Sequence, residues 1–181
     1  MTMLLVSAGF LLILFSGFAF IAESEGVGDF SPRTFRLGPT VFRKTIQALN
    51  TEPLSKNLAQ RGKTKSCVYS LQDDSTCFFF AEPMIGGYRL NRGFCLKGIL
   101  RRTQEVIEIR VKAPLGLTLA LAGWMLVFLV LAATSSTTLD AIMLLLAAFC
   151  VTLLGIVRML PRWFRTKYAV REVLELACPA A

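Results

Sequence analysis

The chain has 181 residues, of which 54% are apolar and only 18% charged, with a mean hydropathy of +0.58. Soluble domains carry roughly 25% charged residues, so this composition is too apolar for a wholly aqueous protein. Twenty Lys and Arg oppose twelve Asp and Glu, a net charge of +8, and the absence of His removes the commonest general acid/base and the commonest metal ligand together.

The apolar excess lies in three runs, 3–22, 115–133 and 139–157. Each is close to the ~20 residues that carry a helix across a bilayer, and none contains Lys or Arg. The first run reads as a membrane anchor or as a secretory signal peptide. No basic residue precedes it, Phe20 sits third before a cut after Ala22, and Arg33 and Arg36 follow it. These features favour an anchor with its N-terminus outside, and a mis-assigned start is the remaining account.

Between the first two runs there is room for one small folded domain, placed at 30–113. After an acidic, glycine-containing linker (23–29), residues 34–37 suggest a short strand. From Pro39 onward, Phe42, Ile46 and Leu49 recur at helical spacing while Arg43, Lys44 and Gln47 fall elsewhere, predicting one amphipathic helix. Asn50 to Pro53 interrupts it, and Leu54 with Leu58 predicts one further turn. From Ser66 the period becomes that of strands. Segments 67–71 and 76–81 flank an Asp73-Asp74 turn as a hairpin, 88–90 suggests a short strand between Gly86-Gly87 and Arg92-Gly93, and 94–100 with 106–111 forms a second hairpin around 102–104. Ile107, Ile109 and Val111 alternate with Glu108, Arg110 and Lys112, so one sheet face is buried and one is wet. The fold class expected is an α+β membrane protein: a small antiparallel sheet with one covering helix, a transmembrane helical hairpin at 114–157 and an N-terminal transmembrane helix at 1–22.

The cations are distributed unevenly. Fifteen lie in 23–113 and five in 158–181, whereas the connection 134–140 between the last two runs has none. By the positive-inside rule the domain and the C-terminal tail face the cytoplasm and 135–138 lies outside. Lys97, Arg101, Arg102, Arg110 and Lys112 lie within reach of the second span, where each cation near anionic headgroups contributes about 1 kcal/mol. In the tail (158–181), Arg158, Arg162, Arg165 and Lys167 surround Trp163, Phe164 and Tyr168, the pattern of rings at headgroup depth with cations reaching outward. Val170, Val173 and Leu174 then form a stripe opposite Arg171, Glu172 and Glu175, predicting an amphipathic helix that lies on the bilayer or docks on the sheet. Within the spans, Gly116, Ala120 and Gly123 make a strip for close helix approach, with the third span, through Ala147 and Gly155, as the expected partner. No ionisable residue interrupts the last two apolar runs, which argues against an ion or proton pathway; Asp140 is at the loop edge.

Leu96-Lys97-Gly98-Ile99, a polar turn, Ile107-Glu108-Ile109 and the Pro-opened apolar hairpin together resemble a widespread group of uncharacterised bacterial small membrane proteins. The resemblance spans about 34–176 and implies a strand, a helix, an antiparallel meander, two spans and a charged tail. It implies no activity, and the first apolar run is additional to its pattern.

Chemistry-bearing motifs are sparse. Cys67, Cys77, Cys95, Cys150 and Cys178 show no CxxC spacing, so neither a zinc site nor a redox dithiol is expected, and a reducing cytoplasm disfavours disulfides. A hairpin register pairing Leu71 with Thr76 points Cys67 and Cys77 to opposite faces. Asp73-Asp74 reads as a solvated turn, Gly86-Gly87 lacks a phosphate-loop pattern, and Ser135-Ser136-Thr137-Thr138 lacks a neighbouring base. Arg89, Arg92, Lys97, Arg101 and Arg102 alternate with Tyr88, Phe94 and Leu100, a pattern better accounted for by anionic headgroups than by nucleic acid. Cys178-Pro179-Ala180-Ala181 matches a prenylation box only formally. The expectation is a non-catalytic accessory or scaffold protein without cofactor or metal, its partners the lipid bilayer and a membrane or cytoplasmic protein. A lipid- or small-ligand-responsive module is the alternative.

Overall fold

A computed structural model describes residues 2–47, 53–81, 95–103 and 105–178. The expected strand at 88–90, with Gly86-Gly87, Arg89, Arg92-Gly93 and Phe94, lies outside the described residues, as do Leu49, Gln104 and the last three residues of the prenylation-like box.

Helix α1 spans Thr2–Gly28, and a short helix α2 spans Pro32–Arg36. Among the described residues six strands follow: β1 (Thr40–Gln47), β2 (Arg61–Lys63), β3 (Cys67–Asp73), β4 (Thr76–Ala81), β5 (Lys97–Arg102) and β6 (Val106–Lys112). Two long helices close the chain, α3 (Leu115–Thr134) and α4 (Thr138–Ala177). The strands form one antiparallel sheet in the order β1-β6-β5-β4-β3-β2. α1, α3 and α4 are long and apolar enough to cross a membrane. Large apolar side chains such as Phe18, Leu131, Leu146, Phe149 and Leu154 stand exposed on them, a surface suited to lipid.

Two local expectations are reversed. The segment from Pro39 is strand β1 rather than an amphipathic helix, with Ile46 opposite Ile107 and Lys44 opposite Ile109. A four-residue recurrence such as Phe42 to Ile46 places both residues on one face of a strand as well as of a helix. The β-branched content (Thr40, Val41, Thr45, Ile46) and the open edge of β6 favour the strand. Conversely, the strand expected at 34–37 is α2. Pro32 opens it with φ already set, and the turn buries Phe35 completely between Phe30 and Phe78, at ring centroid distances of 5.7 and 4.8 Å. The single turn expected at Leu54 is a 3-10 turn (Leu54–Lys56), and both Leu54 and Leu58 are buried.

Both hairpins form, but the first carries a bulge. Asp73 pairs with Thr76 and Leu71 with Cys77, so the register slips by one residue around Gln72. Cys67 and Cys77 therefore point to the same face, not to opposite ones, and both are fully buried in one core.

That core lies between the sheet and the second half of α4. The helix runs unbroken for 40 residues, about 60 Å, so the expected boundary at 157/158 falls inside it. Pro161 lies within the helix and has no N–H to donate back. Beyond it the helix crosses the sheet: Trp163 meets Phe42 of β1 edge-on at 5.9 Å, Ala169 and Val173 are fully buried, and Asn57 donates to the Ala177 carbonyl at 3.4 Å. The tail thus docks on the sheet, with Val173 in the core and Val170 and Leu174 packed, half-buried, against it. It supplies the single covering helix that the sequence assigned to the segment after Pro39.

The opposite face is covered over β3 to β5 by a smaller cluster of Val27, Phe30 and Phe35 against Phe78, Phe80 and Cys95.

Candidate functional site

α1 and α3 lie in tight contact from Gly9 against Val127 to Phe20 against Gly116. A Cβ on Gly9 would fall 2.5 Å from Val127 Cγ2, and one on Gly123 would fall 2.8 Å from the Gly9 carbonyl oxygen. A Cβ on Gly116 would fall 2.8 Å from the backbone nitrogen of Phe20. With no hydrophobic force between helices in lipid, such van der Waals contact holds spans together, and only small residues permit it. The small-residue strip Gly116 and Gly123 therefore faces the first span rather than the third. Gly155 does face α3, against Leu121. In the first half of α4 the buried alanine is Ala148, with Ala147 half-buried, and Ala120 on α3 is half-buried.

Where α1 leaves this contact, Glu23 forms a knot. One carboxylate oxygen accepts from Leu115 N at 2.8 Å and from Lys97 Nζ, and the other accepts from Gly116 N at 2.9 Å. Lys97 Nζ also donates to the Thr34 carbonyl at 2.9 Å. The two side chains are 3% and 1% exposed. The first N–H groups of α3 have no partner within their own helix, and the positive end of its dipole favours an anion, so Glu23 satisfies both demands. Burial pushes the Lys97 amine below its ordinary pKa, opposed by the hydrogen bond and charge of Glu23. Sequence reasoning placed Glu23 in a linker and Lys97 among the headgroup cations. The legible signal was a carboxylate directly after a 20-residue apolar run, with no hint of which cation meets it.

Over β1, β6 and β5 the face turned away from α4 is wet, as the alternation in 106–112 predicted. It holds a groove of about 470 Å³ lined by Arg36, Arg101, Arg110 and Lys112, with Asp73 and Glu108, over Phe78 and Ile99. Glu108 accepts two hydrogen bonds from Arg110, both at 2.8 Å, and pairs with Arg43 at 2.5 Å. The Arg110 hydrogen bond, foremost, holds the Glu108 carboxyl below its usual range. Burial raises the Asp73 carboxyl, but hydrogen bonds from Ser75 and Thr76 outweigh it and the net shift is down. Lys112 Nζ donates to the Arg36 carbonyl.

The other sequence-selected residues separate. Arg102 lies on the α4 side of the sheet, buried, and its Nη2 has no hydrogen-bond partner among the described residues. Around the exit of α4 from the span, Lys167 lies over both Trp163 and Phe164, 5.7 Å from each centroid, while Phe164 and Tyr168 stay exposed. Arg162 and Arg165 are half-buried on the same turns, and the Arg158 side chain lies outside the described atoms. Farther along, the Glu172 carboxylate accepts from the hydroxyls of Thr64 and Ser66 and from Ser66 N at 3.1 Å, tying α4 to the turn between β2 and β3.

No chain in three comparisons matches this one: family models, curated proteins and solved structures all return nothing. The chemistry must be argued from the side chains. Among the described residues, no three His, Cys, Asp or Glu come together to hold a metal ion. Burial pushes the Cys67 thiol up to about 11 and the Cys77 thiol up to about 12, so neither supplies a thiolate at neutral pH. What the geometry offers is a charged, open sheet face fixed to the spans.

Proposed function

We propose that the protein is a non-catalytic, membrane-anchored accessory or scaffold protein, holding a basic α+β module at the cytoplasmic membrane surface for a protein partner. One observation carries this reading: the sheet is tied to the spans at two points, one of its faces is filled by the chain's own α4, and the other is left wet and cationic around Arg36, Arg101 and Arg110. The Glu23 knot and the unbroken α4 are the two ties. A module held this rigidly has its open face at a fixed height and orientation, which suits docking more than catalysis.

The cytoplasmic placement draws on the distribution of cations and on the uncharged turn between α3 and α4, where Thr137 caps α4 by accepting from Asp140 N at 3.2 Å. It is tested with an impermeant maleimide: a Ser136→Cys variant should label in intact cells and Cys178 only after permeabilisation. Labelling of Cys178 from outside overturns the orientation. The partner is tested by purification in mild detergent, where a stoichiometric protein should accompany the wild type and be lost from an Arg101→Glu variant. A wild-type protein that purifies alone removes the scaffold reading. The alternative, a lipid- or small-ligand-responsive module, is favoured by the groove.

A further inference from the structure

We infer that the groove on the open sheet face is a binding site for a phosphate-bearing ligand, held between Arg36, Arg101 and Lys112. This goes beyond the docking reading and stands or falls without it.

Of the groove's two carboxylates, Glu108 is already shared by Arg110 and Arg43, and Asp73 is engaged by Ser75 N at 2.8 Å and the Ser75 hydroxyl at 2.7 Å. Neither makes an ion pair with Arg36 or Arg101, whose side chains have no hydrogen-bond or ion-pair partner among the described residues, and the groove's four cations outnumber its two carboxylates. Lys112 donates one proton to the Arg36 carbonyl, leaving two. Three cations with free donors therefore converge on one cavity. A phosphate monoester, carrying about −1.5 to −2 at neutral pH with three acceptor oxygens, matches this set better than a single carboxylate does.

Size and position agree with that assignment. About 470 Å³ falls within the roughly 300 to 1,000 Å³ of small-molecule sites. Phe78 and Ile99 form an apolar floor for the organic part of the ligand. Lys112 is three residues before the first residue of α3, at most about 10 Å of extended chain, so one end of the groove opens near headgroup depth. The phosphate ester can come from a lipid headgroup or from a soluble metabolite, and guanidinium forks recognise either.

The test uses the full chain in phosphatidylcholine nanodiscs, titrated calorimetrically with pyrophosphate. Saturable one-site binding is expected, weakened at least tenfold in Arg36→Gln/Arg101→Gln and unchanged in Arg33→Gln, a control on α2 outside the groove. Thermal unfolding of the unliganded variants reports that their fold is intact. Nanodiscs containing a phosphoinositide then separate the sources: a weaker apparent affinity for pyrophosphate identifies the lipid headgroup as occupant, and an unchanged affinity identifies a soluble ligand. Absence of saturable binding, or equal weakening by Arg33→Gln, overturns the proposal. A wild-type protein that purifies without a protein partner yet binds pyrophosphate would count against the docking reading alone.

Discussion

Removing the Glu23 carboxylate takes the acceptor from three donors at once: Lys97 Nζ and the N–H groups of Leu115 and Gly116. In Glu23→Ala, Lys97 keeps only the Thr34 carbonyl, and the N–H groups of Leu115 and Gly116 lose their acceptors in a place where both original side chains are at most 3% exposed. Breaking a buried ion pair by deleting one partner costs about 3 to 5 kcal/mol, most of it the penalty of the stranded charge. The companion change is decisive. Lys97→Met removes that stranded charge, so Glu23→Ala/Lys97→Met should be more stable than Glu23→Ala alone, a non-additivity of about 1 to 3 kcal/mol. The measurement is thermal or denaturant unfolding of the detergent-solubilised chain. The reasoning fails if Glu23→Ala costs less than about 1 kcal/mol, or if the two substitutions are additive within about 0.5 kcal/mol.

Three further outcomes are expected. A Gly123→Leu substitution drives its side chain into the Gly9 carbonyl and Ile13, and should destabilise the α1–α3 pair by about 1 to 3 kcal/mol in the same assay, whereas Ala122→Leu, on an exposed position, should be near neutral. The Glu172 carboxyl is raised by burial, yet hydrogen bonds from Thr64 and Ser66 outweigh that and bring it below its ordinary 4.5. Its contribution is therefore present above about pH 4.5 and lost as pH falls through the lowered value, so wild type should lose more stability than Glu172→Gln between pH 5.5 and about 3. Iodoacetamide at pH 8 should alkylate Cys178 well before Cys67 or Cys77, because both buried thiols remain protonated there; rapid modification of either in the folded protein, read by mass spectrometry, would contradict the burial that raises them.

The sequence alone determined what depends on composition and short period. Three lysine- and arginine-free runs dictated three helices long and apolar enough to cross a membrane. The strict alternation in β6 fixed which of its side chains face the core and which form the wet face, since the strand period is two. The polar Ser135 to Thr137 turn and both hairpins were legible for the same local reason.

Only the tertiary structure decided which surfaces meet. The recurrence of Phe42 and Ile46 fits a helix and a strand equally, and the free edge of β6 selected the strand. That choice left the sheet without its expected cover, and the C-terminal half of α4, reaching back over more than a hundred residues, took the place. Gly123 could serve either neighbouring span, and Gly9 made it α1. Glu23 and Lys97 stand 74 positions apart, so no local window holds both. Pattern sets which faces are apolar, small or charged, but pairing between such faces is a long-range free-energy difference, and it exists only once the whole chain is folded.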